Sequence, residues 1–329
     1  MPAIPISWWI AFNAFVIFML ALDLGVFNRK AHVVKLKEAL GWTAVWIAMA
    51  MVFNAWVWWK LGAKSGQEFL GGYLLEKSLS VDNVFVFAVI FSFFKVPREY
   101  QHKVLFWGIF GALALRAIMI AGGAALITNF GWIIYIFAAF LVYTGFKMFF
   151  HNEDSVDPGK SLVVRLLKRT MPMTPDYVGS KFLVKQDGKW FATPLLAVLL
   201  CVEVTDVIFA VDSIPAIFAI TTDTFIVYTS NVFAILGLRA LYFAIAGILP
   251  YFHFLKYGLG VILIFVGVKM SLAHTQWKID MNVSLGVIAG VLVASVIASI
   301  IHRELHPLPE PLETPEDAVK AEEEEKEKE

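Results

Sequence analysis

Long apolar stretches recur along the whole chain, and they constrain its fold more than any other feature. The 329 residues are 59% hydrophobic and only 16% charged, whereas soluble domains have about 45–50% apolar and about 25% charged residues. A helix of about 20 apolar residues crosses a hydrocarbon core of about 30 Å. Nine such segments occur, at 7–27, 40–60, 69–94, 104–127, 131–150, 191–220, 225–249, 254–273 and 282–302. The sequence therefore predicts an all-α polytopic membrane protein with about nine transmembrane helices.

The composition and the single cysteine narrow the function further. The low charge content excludes an ordinary soluble enzyme, a disordered chain and a nucleic-acid binder with a basic face. Cys201 has no second cysteine for a disulfide or a CxxC redox centre, and we interpret it as a small apolar packing residue. The sequence contains no HExxH or GxSxG motif. We therefore expect no enzyme activity, no resident cofactor and no nucleic-acid partner.

Basic residues are concentrated in alternate connections, which predicts the orientation of the chain. The odd-numbered connections hold fifteen lysines and arginines, whereas the even-numbered ones hold only Lys60, Lys64 and Lys278. Since cytoplasmic loops carry this excess, we expect the N-terminus outside and the C-terminus in the cytosol. The first segment lacks a basic start and a cleavage site, so we interpret it as a first span rather than a cleaved signal.

Two regions differ from the spans in the predicted transmembrane domain at 1–303. The connection at 151–190 contains SLVVRLLKRT, which is typical of a basic helix on an anionic membrane surface, and Asp187-Gly188, which indicates a β-hairpin. We interpret it as a cytosolic linker, with a regulatory domain as the alternative. The segment at 304–329 has eleven acidic and three basic residues. It is predicted to be a disordered, solubilising cytosolic tail, with docking or cation collection as alternatives.

An internal repeat predicts how the spans are arranged. EKSLSVDN at 76–83 matches DVIFAVDS at 206–213, FGALALRAIMIAGG at 110–123 matches FAILGLRALYFAIAG at 233–247, and YIFAAFLVYTGFKM at 135–148 matches YGLGVILIFVGVKM at 257–270. Each repeat, 69–150 and 191–273, would hold three helices, so the two copies would cross the membrane in opposite directions. Such a 3+3 inverted repeat is typical of secondary transporters, whose site lies where the copies meet. A repeat kept only for packing is the alternative.

Acidic residues inside the apolar segments are the strongest indication of function. A charge at the bilayer centre costs at least about 2.5–3.5 kcal/mol, so each needs a partner. The five acids are Glu76, Asp82, Glu203, Asp206 and Asp212. Together with Asn83 and Ser213 they offer oxygen ligands, which suit hard divalent cations such as Mg²⁺, Ca²⁺ and Mn²⁺. All seven histidines lie in connections or at span ends, so zinc and copper are not expected.

Helix periodicity distributes these ligands unevenly. Glu76, Ser80 and Asn83 share one helix face, whereas Asp82, six residues after Glu76, points about 120° away in a regular helix. The same spacing recurs in the second acidic segment. Pro215 there removes one main-chain hydrogen bond, so we expect a break in each acidic helix that lets its two carboxylates converge.

Several polar residues have roles that the sequence leaves open. Arg116 and Arg239 occupy matching positions in the two repeats, and we expect them to neutralise the acids when no ion is bound. Glu203 and Ser80 are candidates for the ion pathway, with a structural role as the alternative. Asp23 lies in the first span and could join either a hydrogen bond or the pathway. The acids themselves could instead pair with lysines or cap half-helices.

Four segments resemble a known family of membrane proteins. They are GYLLEKSLSVDNVFVF, VEVTDVIFAVDSIPAIFAITTD, SNVFAILGLRALYF and ALDLGVFNRKAH. They are similar to the TerC family, close to its Alx branch, whose members are also called membrane-bound redox modulators. The resemblance covers nearly all of residues 7–302, and only the acidic tail departs from it.

The resemblance implies a bacterial inner-membrane protein associated with manganese export and relief of metal stress, distantly related to the LysE exporters. The metal site of the family would fall on two sets of residues, one in each repeat. These are Glu76, Asp82 and Asn83, and Asp206, Asp212 and Ser213. The redox label finds little support here, because one cysteine and no cofactor motif leave nothing to carry electrons.

Two hypotheses follow from the sequence. The first is a divalent cation exporter, expected to carry Mn²⁺ by alternating access, with proton counter-transport through neighbouring carboxylates. The second is a non-transporting membrane protein that assists a stress response or the assembly of other membrane proteins, in which the acids form a structural polar network. Protein partners are not identified by the sequence.

Overall fold

The structure is a computed structural model that describes residues 4–22, 36–150, 162–186, 188–245, 254–273 and 275–305. Its helices are α1 (Ile6–Leu22), α2 (Leu36–Leu61), α3 (Ala63–Phe93), α4 (Arg98–Asn129), α5 (Ile133–Phe150), α6 (Leu162–Thr170), α7 (Pro194–Phe218), α8 (Thr224–Leu236), α9 (Leu238–Ile245), α10 (Leu255–Ser271) and α11 (Met281–Leu305). The strands β1 (Leu183–Gln186) and β2 (Lys189–Ala192) form one hairpin between α6 and α7.

Six of the described helical segments are long and apolar enough to cross a bilayer. They are Leu36–Leu61, Arg98–Asn129, Ile133–Phe150, Pro194–Phe218, Thr224–Ala244 and Met281–His302. The prediction of a helical, polytopic membrane protein is therefore confirmed, and the count of nine spans stays a prediction. α3 has 31 residues, more than a span needs, but its charged residues distinguish it from the six. α1 and α10 have 17 residues each.

Large apolar side chains project from several of these helices to the outside of the bundle. Ile118 on α4 is 70% exposed, Tyr143 on α5 is 65% exposed and Val293 on α11 is 58% exposed. A soluble monomer rarely exposes apolar surface on this scale. Contact with lipid tails is the environment that accounts for it.

The closest helix pair is α5 with α10, whose backbones meet at glycines. A Cβ atom on Gly145 would lie 2.7 Å from the carbonyl oxygen of Gly260, and one on Gly267 would lie 2.8 Å from that of Ala138. Small residues permit such approach between membrane helices. Because residue 138 faces 267 while 145 faces 260, α5 and α10 run antiparallel.

The two acidic helices, α3 and α7, also run antiparallel and lie side by side at the centre. Gly72 on α3 lies near Ile217 of α7, whereas Asn83 hydrogen-bonds with Asp206 of α7. The numbering thus increases along α3 as it decreases along α7. In addition, α3 packs against α8 and α4 packs against α7.

The predicted break in the acidic helices is wrong. Both α3 and α7 are continuous, and α7 remains helical through Pro215 to Phe218. Pro215 lies in the last turn, where the loss of one hydrogen bond costs little because the helix ends three residues later. The discontinuity occurs instead in the segment predicted at 225–249, where Gly237 separates α8 from α9.

A partly buried lysine contacts the chain at that discontinuity. The ammonium group of Lys77, on α3, donates to the carbonyl oxygen of Ala234 across 3.3 Å. A Cβ atom on Gly237 would lie 2.7 Å from the same ammonium nitrogen. The glycine therefore leaves the space in which Lys77 reaches the last turn of α8, where cations are favoured.

The linker has the predicted helix and hairpin. β1 and β2 pair antiparallel with Leu183 opposite Ala192, and Gly188 has a φ of 79°. Val164 of α6 is 3% exposed within a cluster that includes Leu195 of α7, so α6 packs on the protein. Its position on a membrane surface stays a prediction. Asp23, Asp187 and the tail from 306 onward lie outside the described residues.

The glycine contact between α5 and α10 predicts opposite effects for two alanine substitutions. We expect Gly145→Ala to lower the free energy of unfolding by about 1–3 kcal/mol, because the new methyl group overpacks the contact with Gly260. Gly122→Ala is the matched control on α4, since a Cβ there meets nothing within 4 Å and alanine favours a helix by about 1 kcal/mol. Thermal unfolding in one detergent measures both. An equal or higher midpoint for Gly145→Ala than for wild type contradicts this packing.

Candidate functional site

Arg116 of α4 lies at the centre of the bundle and joins both acidic helices. Its side chain is only 2% exposed. The Nε atom donates to Oδ2 of Asp206 at 3.2 Å and the Nη2 atom donates to Oδ1 of the same carboxylate at 3.0 Å. The Nη1 atom donates to Oε1 of Glu76 in a close ion pair. One guanidinium therefore bridges Glu76 on α3 and Asp206 on α7.

Two neutral side chains complete the surroundings of the guanidinium. The Nη1 atom of Arg116 also lies 3.3 Å from Oγ of Ser213 and 3.4 Å from Oδ1 of Asn231. A buried cation is tolerated only when it is paired and its donors are satisfied. Three helices, α3, α7 and α8, provide these acceptors to the guanidinium on α4, so the cluster fixes the relative positions of four helices.

A cavity of about 130 Å³ lies beside this cluster. Its polar lining comes from α3, α4, α5 and α7, and consists of Glu76, Asp82, Asn83, Arg116, Thr144, Asp212 and Ser213. Since water occupies about 30 Å³ per molecule in the liquid, the cavity has room for a cation with part of its hydration shell. Five of the six predicted metal residues line it.

The sixth predicted metal residue, Asp206, does not line this cavity. It lies against Arg116 and Asn83, whose Nδ2 atom donates to Asp206 Oδ1 at 3.3 Å. Asp206 also borders a much smaller cavity that includes Val202 and Leu238. Among the described residues, no three His, Cys, Asp or Glu side chains are close enough together to hold a metal ion by themselves. The guanidinium instead lies between the two carboxylates that the sequence assigned to a cation.

Two buried oxygen atoms that belong to cavity residues have no hydrogen-bond partner in the described part of the chain. They are Oε2 of Glu76 and Oδ1 of Asn83. Glu76 is 0% exposed and Asn83 is 2% exposed, so bulk solvent does not reach them. An unsatisfied buried acceptor costs about 1–3 kcal/mol. Both atoms are of the type that binds hard cations.

Asp212 lines the cavity outside the ion bridge of Arg116. The hydroxyl group of Thr144, on α5, donates to its Oδ1 atom at 3.2 Å. Its carboxylate is not paired with Arg116 in the described structure. Asp82 lines the same cavity, although a regular helix turns it away from the Glu76 face. One cavity therefore borders both Glu76 and Asp82 although α3 is continuous.

Thr144 and Asn231 are site residues that the sequence interpretation missed. Each is a polar residue within an apolar segment, and both lie inside quoted motifs, YIFAAFLVYTGFKM and SNVFAILGLRALYF. That was the available signal. It was weak, because threonine and asparagine also occur in membrane helices without a ligand role.

The other predicted residues have diverse positions. Ser80 is buried and its hydroxyl donates to the carbonyl oxygen of Glu76 at 2.7 Å. Glu203 packs against the backbone of Gly111 on α4, and its Oε2 atom has no partner in the described chain. Arg239 occupies the position that matches Arg116 in the predicted repeat, and its Nη1 atom donates to Nε2 of His102 at 2.9 Å.

Removing the central cation should strongly destabilise the protein. We expect Arg116→Gln to lower the free energy of unfolding by about 3–5 kcal/mol, because two carboxylates then remain buried without their charge partner. Adding Glu76→Gln and Asp206→Asn to the same chain should restore much of the loss. Arg165→Gln, at an exposed position of α6, is the control. Thermal unfolding measures all variants, and a near-native midpoint for Arg116→Gln contradicts the central role of the bridge.

Comparison with known proteins identifies the family. Residues 61–306 match the family described as "Integral membrane protein TerC family". An uncharacterized membrane protein of Myxococcus xanthus is 58% identical over 264 residues, which cover 80% of this chain and 83% of that protein. Proteins with the provisional name membrane-bound redox modulator Alx are 50% identical in Escherichia coli K12 and 49% identical in Salmonella typhi, over 84% of this chain and 89% of theirs. No solved structure matches. The chain therefore belongs to the TerC family of integral membrane proteins and has close relatives named Alx.

Proposed function

We propose that this protein exports a divalent metal cation, with Mn²⁺ as the expected substrate, through the cavity between α3, α5 and α7. The observation that carries the proposal is the lining of that cavity. Three carboxylates, from Glu76, Asp82 and Asp212, border one intramembrane space together with the Asn83 amide. Hard cations prefer this set of oxygen ligands.

Arg116 fits the role of an internal substitute for the metal. Its guanidinium neutralises Glu76 and Asp206, so the empty site would not hold several uncompensated charges. An arriving cation would compete with Arg116 for Glu76, whose second oxygen already lacks a partner in the described chain. Ser213 and Asn231 would retain hydrogen bonds from the displaced guanidinium. Binding and release of metal would thus be coupled to the position of α4.

The helix pairing supports the inverted repeat as part of this proposal. An inverted repeat would relate α3 to α7 and α5 to α10, and it requires the two helices of each pair to run antiparallel. Both pairs do run antiparallel. The same repeat would match α4 with α8, so the packing of α3 on α8 corresponds to the packing of α7 on α4. Movement of one repeat against the other would then expose the central site alternately to the two sides. Adjacent carboxylates offer a route for proton counter-transport.

The proposed location is the inner membrane of a bacterium, with the N-terminus outside and the C-terminus in the cytosol. The distribution of lysines and arginines supports the orientation. The relatives named redox modulators do not add a redox centre to this proposal. Cys201 is the single cysteine of the chain and is buried.

The second candidate function does not involve transport: the protein would act in the membrane through a partner protein. The bridge between Arg116, Glu76 and Asp206 favours it, because a buried ion-paired network can also serve only to hold four helices together. The two functions differ in what Asp212 should do. That carboxylate lines the cavity without belonging to the bridge, so it matters for transport and little for the network.

Metal flux into proteoliposomes tests the exporter directly. We expect Mn²⁺ movement by the wild type and at least a tenfold loss for Asp212→Asn, because one of the three cavity carboxylates loses its charge. The variant should unfold at nearly the wild-type temperature, since the Arg116 bridge is intact. Asp176→Asn, at an exposed position of the linker, should transport normally.

Comparison of Mn²⁺ with Ca²⁺ and Mg²⁺ under several pH gradients gives the selectivity and the coupling ion. Normal Mn²⁺ flux in Asp212→Asn would contradict the proposal that the cation passes through this cavity. Folded wild-type protein that moves none of the three cations would favour the non-transporting alternative.

A further inference from the structure

A groove of about 670 Å³ lies between α1, α2 and α8. Its described lining is entirely apolar and contains no charged or hydroxyl side chain. Aromatic rings form most of it, with Trp8 and Phe12 from α1, Phe53 and Trp56 from α2, and Phe225 and Phe233 from α8. This volume is within the range of about 300–1,000 Å³ that is typical of ligand sites.

The groove opens to the outside of the bundle. Its margins include Val52, which is 71% exposed, and Ala11 and Ala48, which are also exposed. α2 is one of the segments long and apolar enough to cross a bilayer. Hydrocarbon therefore surrounds the opening.

Water is a poor occupant of this space. A buried water needs two to four polar partners, and the lining offers almost none. An empty groove would also deprive its aromatic walls of dispersion contacts. The lining therefore selects an apolar chain.

The length of the groove matches one leaflet. It extends along α2 from Val45 to Trp56, twelve residues that span about 16 Å of helix. That is about half of a hydrocarbon core of about 30 Å. One acyl chain of a membrane lipid has this depth.

One end of the groove has the features of a headgroup site. The rings of Trp8 and Trp56 lie 4.7 Å apart there, and tryptophan is enriched at the membrane interface. One turn beyond Trp56 is the exposed Lys60, whose ammonium lies 3.9 Å from the ring centre of Trp59. A lysine at this level attracts a lipid phosphate.

We propose that the groove binds one glycerophospholipid of the leaflet on the N-terminal side, with an acyl chain between α1 and α2 and its phosphate at Lys60. The lipid would pack against Phe233 of α8. Asn231, two residues earlier on α8, accepts a hydrogen bond from Arg116 of α4. The bound chain would therefore support the helix that provides one wall of the central cluster. This proposal does not depend on transport activity.

Native mass spectrometry of the full chain, released from its membrane and progressively delipidated, tests the proposal. We expect one phospholipid retained by the wild type and at least tenfold lower occupancy in Ala48→Phe, whose ring fills the groove. Ala139→Phe adds the same ring at an exposed position of α5 and should retain the lipid. Lys60→Gln leaves the groove open and should weaken retention of phospholipid.

The control for folding is the thermal unfolding midpoint of each variant after phospholipid is added back. Added phospholipid should raise the midpoint of the wild type and of Ala139→Phe, and should not raise that of Ala48→Phe. Equal lipid occupancy in Ala48→Phe and wild type overturns the proposal. So does retention that is the same in Lys60→Gln, or that is equally strong for an apolar molecule without a phosphate.

Discussion

The buried pairing of Arg116 with Glu76 and Asp206 is the interaction on which the rest of the structure depends. A charge in a bilayer is stable only with partners at hand, and here the partners come from different helices. The ion bridge therefore determines how α3, α4 and α7 lie relative to one another, and the contact with Asn231 extends this to α8. The lining of the cavity follows from that arrangement. Stability and the proposed ion pathway thus share Glu76 and Arg116.

Packing at the periphery uses different physics. α5 and α10 approach through glycines at backbone distance, since van der Waals contact rather than hydrophobic burial holds helices together in lipid. α1 instead meets α2 and α8 through large aromatic rings and leaves a groove between them. The close glycine contact between α5 and α10 and the open groove between α1, α2 and α8 involve different helices. The former suits a fixed contact between α5 and α10, and the latter suits the proposed lipid.

Sequence reasoning predicted a helix break at Pro215 incorrectly and missed Thr144 as a site residue. Pro215 indicated a helix break because proline disrupts an α-helix interior, but it lies in the last turn of α7, where little is disrupted. Arg239, which matches Arg116 in the repeat, donates to His102, and its role toward the acids stays a prediction. Thr144 was missed because its partner, Asp212, is 68 residues away. The Pro215 error concerns where a single helix ends, whereas the Thr144 contact joins two helices and depends on long-range packing.

The sequence by itself determined the helical membrane class, the family and the acidic residues, because hydropathy, charge cost and motifs are local properties of the chain. It also indicated that buried acids need a cation, which is a consequence of the energy of a charge in hydrocarbon. Only the tertiary structure decided that Arg116 pairs with Glu76 and Asp206, while Asp82 and Asp212 border the adjacent cavity. The physical reason is that helix packing, rather than residue type, sets which carboxylate a single guanidinium can reach.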